Sequence, residues 1–386
     1  MTVVETSAAG APRVGSPDPL AAGHLYAAAA RHAEESERAG RLHPEVVAAM
    51  TAAGLTRHFV PRAWGGAAGT FAAVVDATSG VGAACTSAAW CGVLFAAHAR
   101  LAAHLPVEGQ RELWGDSPDT RIAAAVVPPA GRLARVPGGW TLTGEWAFAS
   151  GVEHAEWVLL ASLDHGDPEA PAYRVLAVPR EHVLIRETWD AVGLRASGSH
   201  SVSVDGVFVP EHRTFLRETL LTGVRDADAA PCHRVPYQLV AALLFAAPAL
   251  GAARGALEAW TVLVGLRRLP DGTPLTEDPA VQQTLARCSA EIDAARLMLE
   301  TAAARADHPA GGLMDAALNQ RDAAVAVDLL AGAVERLMRT GGARGLIAGG
   351  GLERAWRDIH AVAAHAALQP APAAAAYAAT VFPSHR

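Results

Sequence analysis

Residues 131–151 read GRLARVPGGWTLTGEWAFASG and interrupt a chain that otherwise has the periodicity of helices. Two segments with alternating side chains flank a Gly-Gly pair at residues 138–139, which is typical of a β-hairpin. The later segments WVLLASL, YRVLAVPR and HSVSVDGVFVP are short and rich in β-branched residues, as strands are. The pattern therefore predicts a central β domain at residues 119–225.

Both flanks of this β domain are helical in pattern. At residues 20–118, HPEVVAAMTAAGL starts at His43-Pro44 and stops at Gly54, a long alanine-rich helical region follows, and VEGQRELW is helical after Pro106. At residues 226–386, four long amphipathic segments with short connections predict an antiparallel four-helix bundle. The last of these segments is LERAWRDIHAVAAHAAL, residues 352–368. We expect residues 1–19 to form a disordered tail.

Composition excludes several classes of protein. The net charge is -7 with no basic patch, which argues against nucleic acid and anionic membranes as partners. All 32 basic residues are arginine, so no lysine is available as a Schiff-base nucleophile. The most apolar stretch, residues 240–250, is interrupted by Pro248 and is too short to span a bilayer. The N-terminus lacks the pattern of a secretory signal, so we expect a soluble cytoplasmic protein.

Four segments resemble the acyl-CoA dehydrogenase superfamily: GGWTLTGEWAFASGVEHAEWVLLA, WDAVGLRASGSHSVSVDGVFVPEHRTF, GLRRLPDGTPL and RAWRDIHAVAAH. The resemblance covers residues 25–370. It implies a mainly α fold with an N-terminal helical domain, a β-barrel-like middle domain and a C-terminal four-helix bundle. The order helices, β domain, bundle agrees with it.

The final motif departs from the dehydrogenases at its catalytic position. Their glutamate, which abstracts a proton next to the thioester, follows the arginine of this motif by about nine residues. Here that position is Ala366, preceded by His365, and no carboxylate follows Asp358 up to the C-terminus. Without a positioned base, proton abstraction loses about 10²–10⁴-fold in rate.

The missing glutamate makes the chain similar to a branch of the same superfamily, the two-component flavin monooxygenases. Three further features resemble that branch: RDIHAVAAH, FASG at residues 148–151, and Trp90 followed eight residues later by His98. Within that branch, LFAAPALGAARGALEAW and CHRVPY are similar to hydroxylases of aromatic polyketide biosynthesis, the actinorhodin-pathway hydroxylase among them. The resemblance implies a homotetramer that takes reduced FMN, or FAD, from a separate NAD(P)H-dependent reductase and hydroxylates a fused-ring phenol through a C4a-hydroperoxyflavin.

The resemblance also implies roles for single residues. Ser150 would bind flavin N5, and Phe148 would pack on the ring. His365 would supply a proton, lying on nearly the same helix face as Asp358, while His360 points elsewhere. Trp90 and His98 would line the substrate site, with His98 as base toward the phenol. Arg267 or Arg268 would bind the flavin phosphate. Separately, the turn that contains Gly341, Gly342 and Arg344 offers backbone amides that suit an anion.

Each assignment has a structural alternative that the sequence leaves open. Ser150 would then be a turn serine, His98 a core histidine, His365 a solvated histidine, and the two arginines an exposed helix end. The histidine spacing does not fit a helical zinc site, so we predict no metal. Three other functions remain open: an amino-sugar N-oxygenase of the same branch, an acyl-CoA dehydrogenase, and a non-catalytic assembly protein.

Overall fold

The computed structural model of the protein describes residues 20–166, 171–224, 228–310 and 312–382. The tail predicted at residues 1–19 and the domain boundary predicted at residues 225–226 include residues outside these ranges. The predicted division into three regions stays a prediction. Buried apolar side chains of the first and third regions form one continuous core.

The N-terminal region consists of helices that end close to the predicted positions. They are α1 (Ala22–Ala39), α2 (Pro44–Ala52), α3 (Phe71–Ala84), α4 (Thr86–Ala102) and α5 (Val107–Trp114). The side chain of His43 accepts the backbone N–H of Glu45 at the start of α2, as a helix-capping residue does. The long alanine-rich region is two helices, because Cys85 takes an extended conformation with φ -153° and ψ 106° between them.

The central region contains two four-stranded sheets. The strands are β1 (Ile122–Ala125), β2 (Arg132–Val136), β3 (Gly139–Ala149), β4 (Trp157–Asp164), β5 (Ala172–Pro179), β6 (Leu184–Arg186), β7 (His200–Pro210) and β8 (Thr214–Leu216). One sheet has the order β1-β4-β5-β8 and the other β2-β3-β7-β6. The predicted hairpin is β2–β3, but its turn is Pro137-Gly138, since Gly139 already pairs with Val136. Gly138 has φ 81°, a conformation that favours glycine.

The C-terminal region contains more helices than the sequence pattern predicts. They are α7 (Pro231–Arg234), α8 (Tyr237–Gly265), α9 (Pro279–Asp307), α10 (Leu313–Thr340), α11 (Gly351–Ala363) and α12 (Pro370–Val381), and the short helix α6 (Arg217–Thr222) precedes them at the end of the central region. The expectation that the apolar stretch at residues 240–250 is too short to span a bilayer does not hold for the helix that contains it, because α8 runs through Pro248 over 29 residues. The predicted helix at residues 352–368 is too long, since α11 ends at Ala363 and α12 follows separately.

Helix α8 lies at the centre of the molecule and packs against α3 as well as α10 and α11. Its approach to α3 depends on glycine: a Cβ atom on Gly251 would lie 2.4 Å from the carbonyl oxygen of Ser79. α8 is the described helix whose length and composition would suffice to cross a membrane, but 78% of its most apolar window is buried inside the structure. We interpret it as the core helix of the bundle.

Candidate active site

Ser150 is positioned by an irregularity at the end of β3. From Trp146 to Ala149, three steps along β3 match two steps along β7, so β3 accommodates one extra residue. Such a β-bulge bends the strand and changes the direction of its side chains. Phe148 takes a left-handed φ of 65° within it. The chain then turns at Ser150 and meets α4.

A chain of hydroxyl groups surrounds Ser150. The indole N–H of Trp90 donates a hydrogen bond to Ser150 Oγ over 3.1 Å. Ser150 Oγ lies 2.7 Å from Ser199 Oγ, which lies 2.7 Å from Ser197 Oγ. The backbone N–H of Gly151 also donates to the carbonyl oxygen of Ser197, over 2.8 Å. All three serines are buried, so these hydroxyl groups depend on one another for hydrogen bonds.

Three rings from separate parts of the chain form an aromatic wall beside this chain of hydroxyls. The ring of Trp90 lies 5.5 Å from that of Phe245 on α8 and 5.6 Å from that of His365, measured between centroids. The rings of Phe245 and His365 lie 3.9 Å apart. We call Trp90, Phe245 and His365 the aromatic wall. It brings the predicted residues Trp90, Ser150 and His365 together at one place.

His365 does not lie on a helix, so the prediction that it shares a helix face with Asp358 is wrong. Helix α11 ends two residues earlier, and His365 takes an extended conformation with ψ 136°. Its Nδ1 accepts the backbone N–H of Ala367 over 3.2 Å, so the neutral ring carries its proton on Nε2. Burial lowers the pKa of His365 to about 4, which keeps the ring neutral at pH 7.

Asp358 holds the loop that carries the serines. Its buried carboxyl accepts the backbone N–H of Leu194 over 2.7 Å, and burial raises its pKa to about 6. The approach is close at Gly193, where a Cβ atom would lie 2.2 Å from the carbonyl oxygen of Arg357. Asp358 therefore fixes the loop between β6 and β7 against α11 and contacts the aromatic wall only indirectly.

His98 lies on α4 with Trp90, but its hydrogen bond points to the β domain. Its Nδ1–H donates to the carbonyl oxygen of Ile122, at the start of β1, over 2.8 Å. This bond leaves Nε2 of the neutral ring as an acceptor. Burial lowers the pKa of His98 to about 4. His98 is thus a neutral hydrogen-bond acceptor at pH 7 and a weaker base than an exposed histidine.

The predicted phosphate-binding residues surround one depression of about 360 Å³. It is lined by Leu266, Arg267, Arg268, Gly341, Ala343 and Arg344. A Cβ atom on Gly342 would lie 2.9 Å from Arg267 Nη1, so only glycine leaves the guanidinium its position. Arg268 Nη1 instead donates to Gly272 of its own loop over 2.9 Å. Among the described residues, no carboxylate forms an ion pair with any of the three arginines.

Phe148 is exposed to 69% and its ring contacts Trp189 edge-on, at 6.2 Å between centroids. An aromatic ring that is exposed does not contribute to the core, and a strained backbone conformation is most often found at functional sites. Trp189 itself is anchored by its Nε1–H, which donates to the carbonyl oxygen of Leu194 over 2.9 Å. Phe148 thus presents its ring to solvent at the bulged end of β3.

Two further groups of histidines lie outside this site. His360 contacts Trp356 and lies 3.7 Å from a carboxylate oxygen of Glu335. His32, His43 and Glu45 bring their possible ligand atoms within 4.8 Å of one another. The two imidazole rings stack in parallel at 3.8 Å, so they would have to turn before both could ligate one ion. The prediction that the protein binds no metal stays a prediction.

Sequence reasoning missed Phe245, Ser197 and Ser199. The two serines belong to the small polar run SGSHS, which the motif contained without indicating a role for either. Phe245 lies in the motif LFAAPALGAARGALEAW, which indicated no role for it, because most residues of this apolar helix are core. Its place in the aromatic wall follows from the packing of α8 against α4.

Comparison with known proteins agrees with this geometry. Residues 243–370 match the family described as the acyl-CoA dehydrogenase C-terminal domain. The chain is 33% identical to the oxygenase component of FADH(2)-dependent resorcinol hydroxylase from Rhizobium sp. (strain MTP-10005), over 89% of this chain and 88% of that protein. It is 31% identical to the flavin-dependent monooxygenase oxygenase subunit HsaA of Rhodococcus jostii (strain RHA1), over 88% and 91%.

A solved structure shows the same architecture. XiaF from Streptomyces sp., in complex with FADH2 and glycerol, superimposes with a TM-score of 0.87 at 26% identity, over 93% of each chain. The fold expected from the resemblance is therefore confirmed. With sequence identity above 30% over most of its length, the chain belongs to the oxygenase components of two-component flavin-dependent monooxygenases, within the acyl-CoA dehydrogenase superfamily.

Proposed function

We propose that this chain hydroxylates a fused-ring phenol of the polyketide type, using O2 and reduced flavin from a separate NAD(P)H-dependent reductase. The observation that carries the substrate class is the environment of His98. Its Nδ1–H is bound to Ile122, and the buried neutral ring offers Nε2 as an acceptor. A phenol O–H is the matching donor. Resorcinol, in the name of one relative, is a phenol with a single ring, so it supports the phenol O–H and not the fused rings.

The residues around Ser150 and Arg267 fit a flavin. The exposed ring of Phe148 offers an apolar face, and the hydroxyl of Ser150 offers a donor and an acceptor for a ring nitrogen. The depression suits phosphate, since guanidinium groups bind phosphate oxygens strongly and no carboxylate of the described residues forms an ion pair with its three arginines. When bound, the reduced flavin supplies the activation of O2 and the transfer of one oxygen atom to the substrate.

The aromatic wall excludes water and presents one donor. Because His365 Nδ1 accepts from Ala367, its Nε2–H faces away from the backbone as a neutral hydrogen-bond donor. The burial that lowers its pKa to about 4 disfavours the imidazolium form. We therefore assign His365 the role of holding a proton at Nε2, with Trp90 and Phe245 keeping the surroundings dry.

His98 orients the substrate and polarises its hydroxyl group. With a pKa of about 4, His98 does not take the full proton from an ordinary phenol at pH 7. It accepts a hydrogen bond, which draws electron density toward the ring and favours attack on electrophilic oxygen. The segment AAWCGVLFAAHARLAAHL around it is composed mostly of small and apolar residues, which suits a flat, apolar ligand.

The depression at Arg267 bears on the choice between FMN and FAD. We expected FMN first, whereas the resorcinol hydroxylase and XiaF are both named with FADH2. A nucleotide with two phosphates would use more of the three-arginine depression than one with a single phosphate. Both cofactors therefore belong in the test.

The alternative functions lack a supporting observation. A dehydrogenase needs a carboxylate base near the flavin, and the described residues after Asp358 contain none. An amino-sugar N-oxygenase needs polar groups that bind several sugar hydroxyls, whereas His98 lies on a helix of mostly apolar residues. A non-catalytic role does not explain why three arginines, without a carboxylate partner among the described residues, surround one depression.

The test is product formation from a naphthol-type or anthrone-type phenol and, in parallel, from an amino sugar. The assay contains NADH, a generic flavin reductase and either FMN or FAD. We expect hydroxylated phenol. For His98→Ala we expect a KM about tenfold higher, because the substrate loses one hydrogen bond. His360→Ala is the matched control, because that histidine is exposed and its ring lies against Trp356 and near Glu335.

Three outcomes would change these assignments. Oxidation of the amino sugar without oxidation of phenols would replace hydroxylation by N-oxygenation. Turnover of the corresponding phenol methyl ether at the same KM would contradict recognition of the O–H group. A His98→Ala variant equal to the wild type across pH would leave the hydroxylase in place and remove His98 from its site.

A further inference from the structure

The buried chain of three serine hydroxyls determines whether the Ser150 hydroxyl can donate or accept a hydrogen bond toward a ligand. Ser150 Oγ receives the indole N–H of Trp90, which can only donate. One lone pair and one hydrogen of the hydroxyl then remain for Ser199 and for a ligand. The 2.7 Å distance between Ser150 Oγ and Ser199 Oγ allows either oxygen to be the donor. The same holds between Ser199 and Ser197.

A flavin presents opposite demands to this hydroxyl in its two oxidation states. N5 of oxidised flavin is a hydrogen-bond acceptor, so Ser150 has to donate. N5 of reduced flavin carries a hydrogen, so Ser150 has to accept and its own hydrogen needs another acceptor. Ser199 is placed to be that acceptor, and Ser197 in turn accepts from Ser199.

We propose that Ser199 and Ser197 are positioning residues that let the hydroxyl chain reverse its direction with the oxidation state of the flavin. This inference rests on the proposed function. With oxidised flavin, hydrogen bonds run from Ser197 through Ser199 to Ser150 and the ligand. With reduced flavin, they run from the ligand through Ser150 and Ser199 to Ser197. The reversal requires only rotation of the hydroxyl groups about their C–O bonds, so no covalent bond forms or breaks.

Removal of the Ser199 hydroxyl has an asymmetric consequence. In Ser199→Ala, Ser150 still receives the N–H of Trp90 and can still donate to oxidised N5. With reduced flavin, the Ser150 hydrogen would be buried without an acceptor, which costs about as much as one lost hydrogen bond. We therefore expect the dissociation constant of reduced flavin to rise about tenfold and that of oxidised flavin to change by less than about twofold.

The experiment measures both dissociation constants, the reduced one under anaerobic conditions, together with the midpoint potential of bound flavin. For a two-electron couple, a tenfold selective loss corresponds to a potential about 30 mV lower. Ser199→Thr keeps the hydroxyl and should restore the wild-type ratio. Ser201→Ala is the matched control, because Ser201 is a buried serine of β7 bonded to Thr188 instead.

A purely structural role for Ser199 predicts a different result. Both dissociation constants would then rise together, and Ser199→Thr would not restore their ratio; either finding overturns the proposal. In a Ser150→Ala background, Ser199→Ala should no longer change the ratio, and a persistent change would also contradict it. Failure of the wild type to bind any flavin would count against the proposed function itself.

Discussion

Ser150 is held by Trp90 on one side and by Ser199 on the other. Its identity followed from the FASG motif, but its partners did not, because they meet only after α4 packs against the β domain. His98 and His365 were likewise predicted from motifs as site residues. Their protonation states were not, since these depend on burial and on backbone partners at Ile122 and Ala367.

Replacement of Ser150 should uncouple oxygen use from hydroxylation. In Ser150→Ala, the Trp90 indole N–H and the reacting part of the cofactor lose a buried partner, so we expect a several-fold higher share of hydrogen peroxide per NADH consumed. The measurement compares peroxide with hydroxylated product. Ser162→Ala is the control, because Ser162 is a buried serine of β4 without a hydrogen-bond partner among the described residues. Unchanged coupling in Ser150→Ala would remove Ser150 from the flavin site.

At the scale of elements, the site depends on where strands and helices end. The bulge of β3 and the early end of α11 place Ser150 and His365, and neither was predictable. A bulge arises from pairing with β7, and α11 ends where His365 caps the next turn, so hydrophobic periodicity contains no signal for either. The starts of α2 and α5, in contrast, were predicted, because a proline at or just before the first residue is a local signal.

The two neighbouring arginines should differ in importance. Arg267 lies against Gly341 and Gly342, whereas Arg268 is engaged by Gly272 in its own loop. We expect Arg267→Ala to weaken binding of reduced FMN or FAD about tenfold, and Arg268→Ala to have a smaller effect. Riboflavin, which lacks phosphate, should bind both variants like the wild type. Equal losses for the two variants, or an equal loss with riboflavin, would contradict a phosphate site centred on Arg267.

At the scale of the whole molecule, several buried histidines make stability depend on pH. Burial lowers the pKa of His98 and His154 to about 4 and that of His104 to about 3. In the unfolded chain these histidines protonate near pH 6.5. Their contribution to the free energy of unfolding is therefore complete above that pH and is lost as pH falls toward 4. Because the pKa of Asp358 is raised, its contribution to the free energy of unfolding increases as pH falls over part of this range. That increase offsets the loss from one histidine.

We therefore expect the free energy of unfolding to fall between pH 7 and pH 5. The slope for each fully buried histidine is about 1.4 kcal/mol per pH unit, less for those partly exposed. Denaturant titrations at several pH values measure it, and His98→Gln should reduce the slope. A free energy of unfolding that stays constant or rises as pH falls would show that these histidines are protonated in the folded state.

The outer faces of the bundle indicate self-association. Large apolar side chains are exposed on α8, α9 and α10 and after α12, among them Val262, Leu297, Leu313 and Phe382. Exposed apolar residues in such number favour an interface. We expect light scattering to give about four times the 39.9 kDa of one chain, as a closed tetramer. Leu297→Arg should yield smaller species, and a monomer that binds flavin with wild-type affinity would contradict the tetramer.

Turnover under ¹⁸O₂ tests the assignment as a monooxygenase most directly. The protein is mixed with reduced flavin and a naphthol-type phenol, and the product is analysed by mass spectrometry. We expect hydroxylated phenol with one oxygen atom from O2, and no reduction of oxidised flavin by an acyl-CoA. Product oxygen derived from water, or rapid flavin reduction by an acyl-CoA, would contradict oxygen transfer at the Ser150 site.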